Sequence, residues 1–159
     1  MSLVRPALSA LGAVSAAVTF AIGVYQPPVS GPVVDRFRPP PAPWAAGNRG
    51  IDYATAPGAP VRAAADGVVV FAGKVGGSLH VVVLHADGVR TSYSFLRSVL
   101  VHAGDSVVRG EPVGTAGAQL HFGARVGDEY VDPSRLFGGV AKSGAHLVPD
   151  HDEPDPAPH

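Results

Sequence analysis

Any chemistry that this chain does must come from His, Asp, Glu, Ser, Thr or Tyr side chains, because none of its 159 residues is cysteine. The absence of cysteine excludes thiol nucleophiles, thiolate metal ligands and disulfides. Two residues stand out by their setting: Asp52 lies in a short apolar run, and His121 lies between Leu120 and Phe122. On a strand, the side chain of His121 faces the opposite surface from its apolar neighbours, which suits a groove. Imidazole and carboxylate groups both bind zinc and both transfer protons, so metal-assisted or acid-base chemistry is the kind to consider.

These residues also have ordinary structural explanations. Asp52 on its own could simply cap a turn. The other histidines of the central region are His80, His85 and His102, and they are the candidates for additional metal ligands. His80 and His102 are predicted to be exposed histidines at a strand end or a turn, and His85 lies beside a predicted hairpin turn.

Charge and length limit the classes of function. The chain has 12 Lys plus Arg against 13 Asp plus Glu, for a net charge of −1. Such a balance produces no overall field that would draw the protein to nucleic acid or anionic lipid, so no nucleic-acid partner is expected. The length suits one domain with a single core.

The two ends of the chain differ from its middle in composition. Residues 1–25 are predicted to be a signal peptide or a membrane anchor, because residues 7–24 are apolar or small and carry no charge. Residues 26–47 are rich in proline and are predicted to form an extended spacer with one possible short strand at residues 33–37. Residues 138–159 are predicted to be a disordered tail of acidic residues, proline and histidine. The chain is therefore expected to be exported, with membrane contact only through its N-terminal segment.

Between these ends, short runs of β-branched and aromatic residues are separated by turns containing glycine, which is typical of a mostly β domain. An Asp-Gly pair separates residues 61–65 from residues 68–73, and these two runs are predicted to form a hairpin. A second Asp-Gly pair separates residues 80–85 from residues 89–96, which are predicted to form another hairpin. No stretch shows sustained helical periodicity, so a nearly all-β domain is expected.

Six motifs follow one another in the middle of the chain. They are Arg49-Gly50-Ile51-Asp52-Tyr53-Ala54, Pro57-Gly58-Ala59-Pro60-Val61, Ala64-Ala65-Asp66-Gly67-Val68-Val69, His85-Ala86-Asp87-Gly88-Val89-Arg90-Thr91-Ser92-Tyr93, Gly104-Asp105-Ser106-Val107, and Leu120-His121-Phe122 with Val131-Asp132-Pro133. In this order they resemble the lysostaphin-like, or LytM-like, zinc endopeptidases of peptidoglycan. The resemblance covers residues 32–137. It implies a single domain with a compact antiparallel β-sheet core of that peptidase type, similar to a duplicated hybrid motif, and a groove in which active relatives cut wall cross-bridges with one zinc ion.

The resemblance also implies a set of site residues. In the family the zinc ligands are a histidine, an aspartate four residues later and the second histidine of a His-x-His strand, while two further histidines assist catalysis. Asp52 and His121 stand at the second and third ligand positions, and Asn48 stands at the first. Phe95 and Gln119 replace the two assisting histidines. An asparagine amide is a poor zinc ligand, and neither phenylalanine nor glutamine transfers a proton near neutral pH.

These replacements predict a catalytically degenerate member that binds the cell wall or regulates a wall hydrolase, with peptidoglycan or such a hydrolase as its partner. No cofactor is expected unless another residue completes a zinc site. Asn48, Tyr93, Phe95 and Gln119 are predicted to line the binding groove, where Phe95 either fills the space of a missing histidine or offers an apolar contact. Two alternatives remain open, namely an active zinc endopeptidase with an altered ligand set and a structural envelope protein.

Overall fold

A single antiparallel sheet dominates the computed structural model, which describes residues 24–138. Within that range there are nine strands and one 3-10 helix. The strands are β1 (Val33–Asp35), β2 (Gly50–Ala54), β3 (Pro60–Arg62), β4 (Gly67–Val75), β5 (Ser78–Leu84), β6 (Val89–Val99), β7 (Ser106–Val107), β8 (Pro112–Val126) and β9 (Glu129–Val131), and the 3-10 helix is Pro133–Phe137. The prediction of a mostly β domain with an antiparallel sheet core is confirmed.

Strand β8 is the centre of this sheet. The strands follow the order β1-β2-β8-β6-β5-β4-β7, and β3 and β9 also pair with β8. Its 15 residues are long enough to pair with β2 and β9 along one edge and with β3 at its beginning, while β6 runs along the other edge. The strand that carries His121 is therefore held on both sides.

Alternation along the strands divides the sheet into a covered face and an open face. Tyr93 on β6 and Leu120 and Phe122 on β8 are fully buried on the covered face. The 3-10 helix closes that face, since Leu136 is buried and the Phe137 ring stacks on Phe122 with centroids 5.9 Å apart. His121 lies between Leu120 and Phe122 in sequence, so its side chain lies on the open face.

The two predicted hairpins have different outcomes. Strands β5 and β6 pair across the turn at Gly88, as predicted. The hairpin predicted at Asp66-Gly67 is wrong, because β3 pairs with β8 and β4 pairs with β5 and β7. The intervening residues, Ala63 to Ala65, are buried in the core rather than paired with β4, so the chain crosses from one part of the sheet to another.

The folded domain begins earlier than the resemblance implied. Tyr25, assigned from sequence to the apolar leader, is only 4% exposed, and its hydroxyl donates to the Asp87 carboxylate at 2.8 Å. The backbone N–H of Gln26 donates to the Ala64 carbonyl at 2.8 Å. Residues 25 and 26 are thus part of the domain, ahead of Pro32.

The predicted export segment and the predicted tail lie outside the described residues, apart from Val24, Tyr25 and Gly138. Within residues 24–138, no helix combines the length and apolar character needed to cross a bilayer.

A buried hydrogen-bonded chain of side chains links β5 and β6 to the crossing segment. His85 Nδ1 lies 2.8 Å from the Asp66 carbonyl oxygen, and Nε2 lies 2.7 Å from the Thr91 hydroxyl. The Thr91 hydroxyl is in turn 3.0 Å from the Tyr93 hydroxyl, which accepts from the backbone N–H of Ala64. Since a carbonyl only accepts, Nδ1 of His85 carries a proton and donates it to the Asp66 carbonyl. His85 therefore has a structural role.

This burial predicts that acid destabilises the domain through His85. Burial lowers the pKa of His85 below its ordinary value, although the Asp66 carbonyl acts in the opposite direction. The unfolded chain then binds this proton at a higher pH than the folded chain does, so the stabilisation is complete above about pH 6.5 and is lost as the pH falls. We expect the urea concentration at which half of the protein is unfolded to decrease as the pH is lowered from 8 to 5.5. The fall should be smaller in His85→Gln. In His102→Gln it should equal the fall of the unaltered chain, because the His102 side chain is 93% exposed in the native chain. Equal falls in all three proteins would contradict the assignment.

Candidate functional site

Asp52 and His121 face each other across two paired strands. They are direct register partners in β2 and β8, which places both side chains on the open face. His121 Nδ1 lies 2.7 Å from Asp52 Oδ1, and each side chain is 24% exposed. The structure thus brings together the two residues that stand at the second and third ligand positions.

Asn48 completes a hydrogen-bonded cluster with these two residues. Its side-chain oxygen accepts from the backbone N–H of Gly50 at 3.1 Å, and its Nδ2 donates to Asp52 Oδ2 at 3.0 Å. A backbone N–H can only donate, so this contact determines which end of the amide is oxygen. The amide therefore turns its NH₂ group toward Asp52, and both carboxylate oxygens of Asp52 already have polar partners.

This arrangement does not fit a zinc ion. A catalytic zinc needs three protein ligands with lone pairs that point at the metal and a fourth position for water. Asn48 presents a donor N–H at the first of these positions instead of a lone pair. In the part of the chain that the structure describes, no group of three or more His, Cys, Asp or Glu side chains is placed to hold a metal. His80, His85 and His102 do not complete the site.

Phe95 lies over the open face next to His121. It is the non-glycine residue with positive φ among the described residues, at 65°, and a register shift between β6 and β8 occurs at this point. Its ring centroid lies 6.1 Å from that of His80 and 6.3 Å from that of His121. A left-handed backbone at an aromatic residue is strained by about 1–3 kcal/mol, and such strain clusters at functional sites. Phe95 is 53% exposed, so it does not fill a closed void.

Gln119 and Phe95 share a shallow depression beside the Asp52–His121 pair. The depression has a volume of about 550 Å³ and is otherwise lined by small side chains and backbone of β2 and β8. Gln119 is exposed, as is expected of a groove residue. Asn48, by contrast, is only 7% exposed and contributes to the floor of the site rather than to its surface.

The prediction that Tyr93 lines the groove is wrong. Tyr93 lies on the covered face with no exposed surface, and its ring packs on Phe122 at a centroid distance of 5.3 Å. Burial raises the pKa of Tyr93 to about 12. Because side chains alternate along β6, the neighbours Ser92 and Ser94 face the groove instead.

The open face continues from His121 along β8 as a floor of small and polar side chains. Register pairs place its members on one surface. The floor is also closely packed, since a Cβ added at Gly123 would lie 2.6 Å from the Ser92 hydroxyl oxygen. We call this surface the groove floor, and its residues are Asp52, Arg90, Ser92, Ser94, His121, Gly123 and Arg125.

The far end of the groove floor carries arginines that the sequence analysis did not select. Arg125 is four residues beyond His121 on β8, and Arg90 is its partner on β6. The period-two spacing from His121 to Arg125 was the available signal. Nearby, Arg49 Nη2 donates to the Pro43 carbonyl at 2.6 Å and so fixes the loop of Trp44, which is 88% exposed.

Comparisons with known proteins give relatives of this chain in sequence and in fold. The sequence profile of peptidase family M23 matches residues 46–133. DD-carboxypeptidase/endopeptidase Mpg of Neisseria meningitidis serogroup B is 42% identical over 94 residues, which are 54% of this chain and 22% of Mpg. Murein hydrolase activator NlpD of Salmonella dublin is 30% identical over 124 residues, with 73% of this chain and 32% of NlpD covered. The catalytic domain of lysostaphin from Staphylococcus simulans is similar with a TM-score of 0.61 and 25% identity, over 67% of this chain and 91% of that domain. The chain thus spans less than a third of Mpg or NlpD.

Proposed function

The chain belongs to peptidase family M23, and we propose that it is a non-catalytic member that binds peptides of peptidoglycan in its groove without cutting them. Members of this family are usually zinc-dependent. The observation that carries the proposal is the orientation of Asn48, whose amide donates to the carboxylate that would otherwise bind the metal. A zinc ion, when bound in such a site, polarises the scissile carbonyl and supplies hydroxide. The residues present here do not fit that ion, so no catalytic step is assigned to them.

The losses at Phe95 and Gln119 point in the same direction. Removing one oxyanion donor costs roughly 10²–10³ in rate in other hydrolases, and removing general acid-base help costs a factor of roughly 10²–10⁴. Phe95 has no polar hydrogen, and Gln119 does not exchange a proton near neutral pH. Even with a metal, a site with both replacements would be slower by about four orders of magnitude or more.

The groove retains surfaces on which a peptide can rest. Phe95 is 53% exposed and lines the shallow depression together with Gln119. Trp44 is a second exposed aromatic residue, on a loop fixed by Arg49. Exposed aromatic rings next to a polar floor are the anchors that binding sites use most often. Binding without cutting needs these contacts only, and it does not need the missing histidines.

A regulatory role toward a wall hydrolase is the second candidate. It is supported by the 73% of this chain that matches NlpD, whose name is murein hydrolase activator. Either role requires the domain to act in the cell envelope, reached through export, with residues 7–24 as the leader or anchor. Neither role requires nucleic acid or zinc.

Co-sedimentation of the full chain with isolated peptidoglycan tests the proposal. We expect the chain to sediment with the wall and to release no soluble muropeptide, while an active M23 enzyme run in parallel does release them. Phe95→Ser should weaken binding by roughly tenfold, because it removes a half-exposed apolar contact worth about 1–2 kcal/mol. Leu100→Ser, which removes a side chain of similar exposure (57%) away from the site, is the matched control and should bind like the unaltered chain.

Two results would sink this proposal. Release of muropeptides above the buffer level would restore the alternative of an active zinc endopeptidase. Failure to sediment, together with no effect on wall hydrolases assayed in its presence, would favour a structural envelope protein.

A further inference from the structure

Two guanidinium groups lie over one tyrosine ring at the far end of the groove floor. The Arg49 guanidinium carbon is 5.8 Å from the centroid of the Tyr130 ring, and that of Arg125 is 5.9 Å from it. Cation–π contacts of this kind hold guanidinium groups in place. Arg49 is held further by the bond from its Nη2 to the Pro43 carbonyl, and its other N–H groups remain to donate. Tyr130 is 43% exposed, so the cluster is open to solvent.

Arg90 brings a third positive charge to the same place. It is the direct register partner of Arg125 across β6 and β8. Like charges that lie directly opposite on paired strands destabilise a sheet. Within residues 24–138, the ion pairs are Arg38–Asp35, His102–Asp105 and His121–Asp52, so none of them neutralises Arg90 or Arg125. The fold therefore tolerates an uncompensated positive pair.

The nearby acidic residue Glu129 does not neutralise this pair. It is the register partner of Val126, whereas Tyr130 is the partner of Arg125. Alternation along β9 directs the side chains of Glu129 and Tyr130 to opposite surfaces of the sheet. The carboxylate is thus on the side away from the arginines.

A small depression joins the positive cluster to the groove floor. It has a volume of about 180 Å³, and its lining includes Arg90, Arg125, Tyr130 and Ser92. That space is sufficient for a carboxylate group. Because a strand rises by about 3.3 Å per residue, Arg125 lies about 13 Å from His121, which is the span of roughly four extended peptide residues.

We propose that Arg90, Arg125 and Arg49 form an anion subsite that binds a carboxylate of the wall peptide lying in the groove. The inference rests on the proposed peptide-binding function and specifies its ligand. Guanidinium groups bind carboxylates with two parallel N–H···O bonds. The cation–π contacts with Tyr130 orient the planes of the guanidinium groups before the carboxylate binds. A peptide that passes Phe95 and runs along the low floor past Gly123 reaches the cluster with its carboxylate end. A phosphate-bearing polymer would meet the same charges but would have no reason to enter the groove.

Calorimetric titration of the full chain with soluble muropeptides tests this subsite. One muropeptide sample keeps its free carboxylates, and the other has them converted to amides. We expect the amidated sample to bind roughly fivefold more weakly than the carboxylate-bearing sample. Binding of the carboxylate-bearing sample should weaken as the salt concentration is raised. Arg125→Gln and Arg90→Gln should each lose roughly threefold to fivefold toward the free form and nothing toward the amidated form. Arg135→Gln removes an exposed arginine from the 3-10 helix on the covered face and should change neither value.

The possible failures are distinguishable. If the unaltered chain binds both muropeptide samples equally and the arginine variants do likewise, the subsite is wrong while the proposed function stands. If the unaltered chain binds neither sample, both proposals fail. The assignment to carboxylate is overturned if inorganic phosphate displaces the bound muropeptide as effectively as a tenfold excess of the carboxylate-bearing muropeptide does. The cluster is then a general phosphate site.

Discussion

An Asn48→His variant is expected to bind zinc at least about a hundredfold more tightly than the unaltered chain. Structural zinc sites with four ligands contribute about 10–16 kcal/mol, or roughly 3 kcal/mol for each ligand, and 1.4 kcal/mol corresponds to a tenfold change. Asp52 and His121 already face each other at 2.7 Å, so the variant needs no change in the strands that carry them. Replacing the amide removes the donor that now occupies Asp52 Oδ2 and supplies an imidazole nitrogen instead.

Zinc content after dialysis and competition with a chelating dye measure this effect. Asn48→Ala is the matched control, because it also frees Asp52 from the amide but adds no ligand. It should remain as weak as the unaltered chain. One tightly held zinc per molecule of unaltered chain would contradict the expectation, since some other residue would then complete the site and the peptidase alternative would return.

A Gly50→Ala variant is expected to lose about 3 kcal/mol or more of unfolding free energy. A Cβ at this position would lie 2.3 Å from the Phe122 carbonyl oxygen and 2.9 Å from two atoms of the His121 ring. The oxygen belongs to the backbone of β8, so the clash can be relieved only by separating β2 from β8. Overpacking of this kind in a well-packed region costs about 1–3 kcal/mol, and a clash with backbone belongs at or beyond the upper end of that range.

Urea unfolding at pH 7.5 measures this loss, with Gly73→Ala as the matched control. Gly73 lies within strand β4 at ordinary φ, and its added Cβ would meet only the Phe71 ring, at 3.6 Å. Alanine is better than glycine in a strand by up to about 1 kcal/mol, so this control should be neutral or slightly more stable. Similar losses in the two variants would show that the close pairing at Gly50 is not what limits stability.

The fold was largely predictable because its strongest signals are local. The hairpin of β5 and β6 has β-branched residues on both arms and glycine at the turn, where Gly88 adopts a φ of 85°. The false hairpin at Asp66-Gly67 carries an almost identical local signal. Its outcome depends on Val61, which pairs with Gly114 of β8, more than fifty residues away in sequence, and no turn motif encodes that choice.

The candidate site was predictable from family resemblance only in part. Asp52 and His121 face each other because of their positions on paired strands. The orientation of the Asn48 amide, by contrast, depends on the backbone N–H of Gly50. The arginine cluster was missed because its members come from different strands far apart in sequence. Their lack of acidic partners becomes visible only when the sheet is assembled.

The backbone at Phe95 has a consequence for how this groove can change. The side chain is directed over the floor by a main-chain irregularity, with φ of 65°, and about half of its surface is free of packing contacts. The side chain at position 95 can therefore be replaced while the backbone that positions it stays unchanged. A single codon change at this position would alter what the groove prefers to bind while leaving the core untouched, so specificity here can diverge faster than the scaffold that displays it.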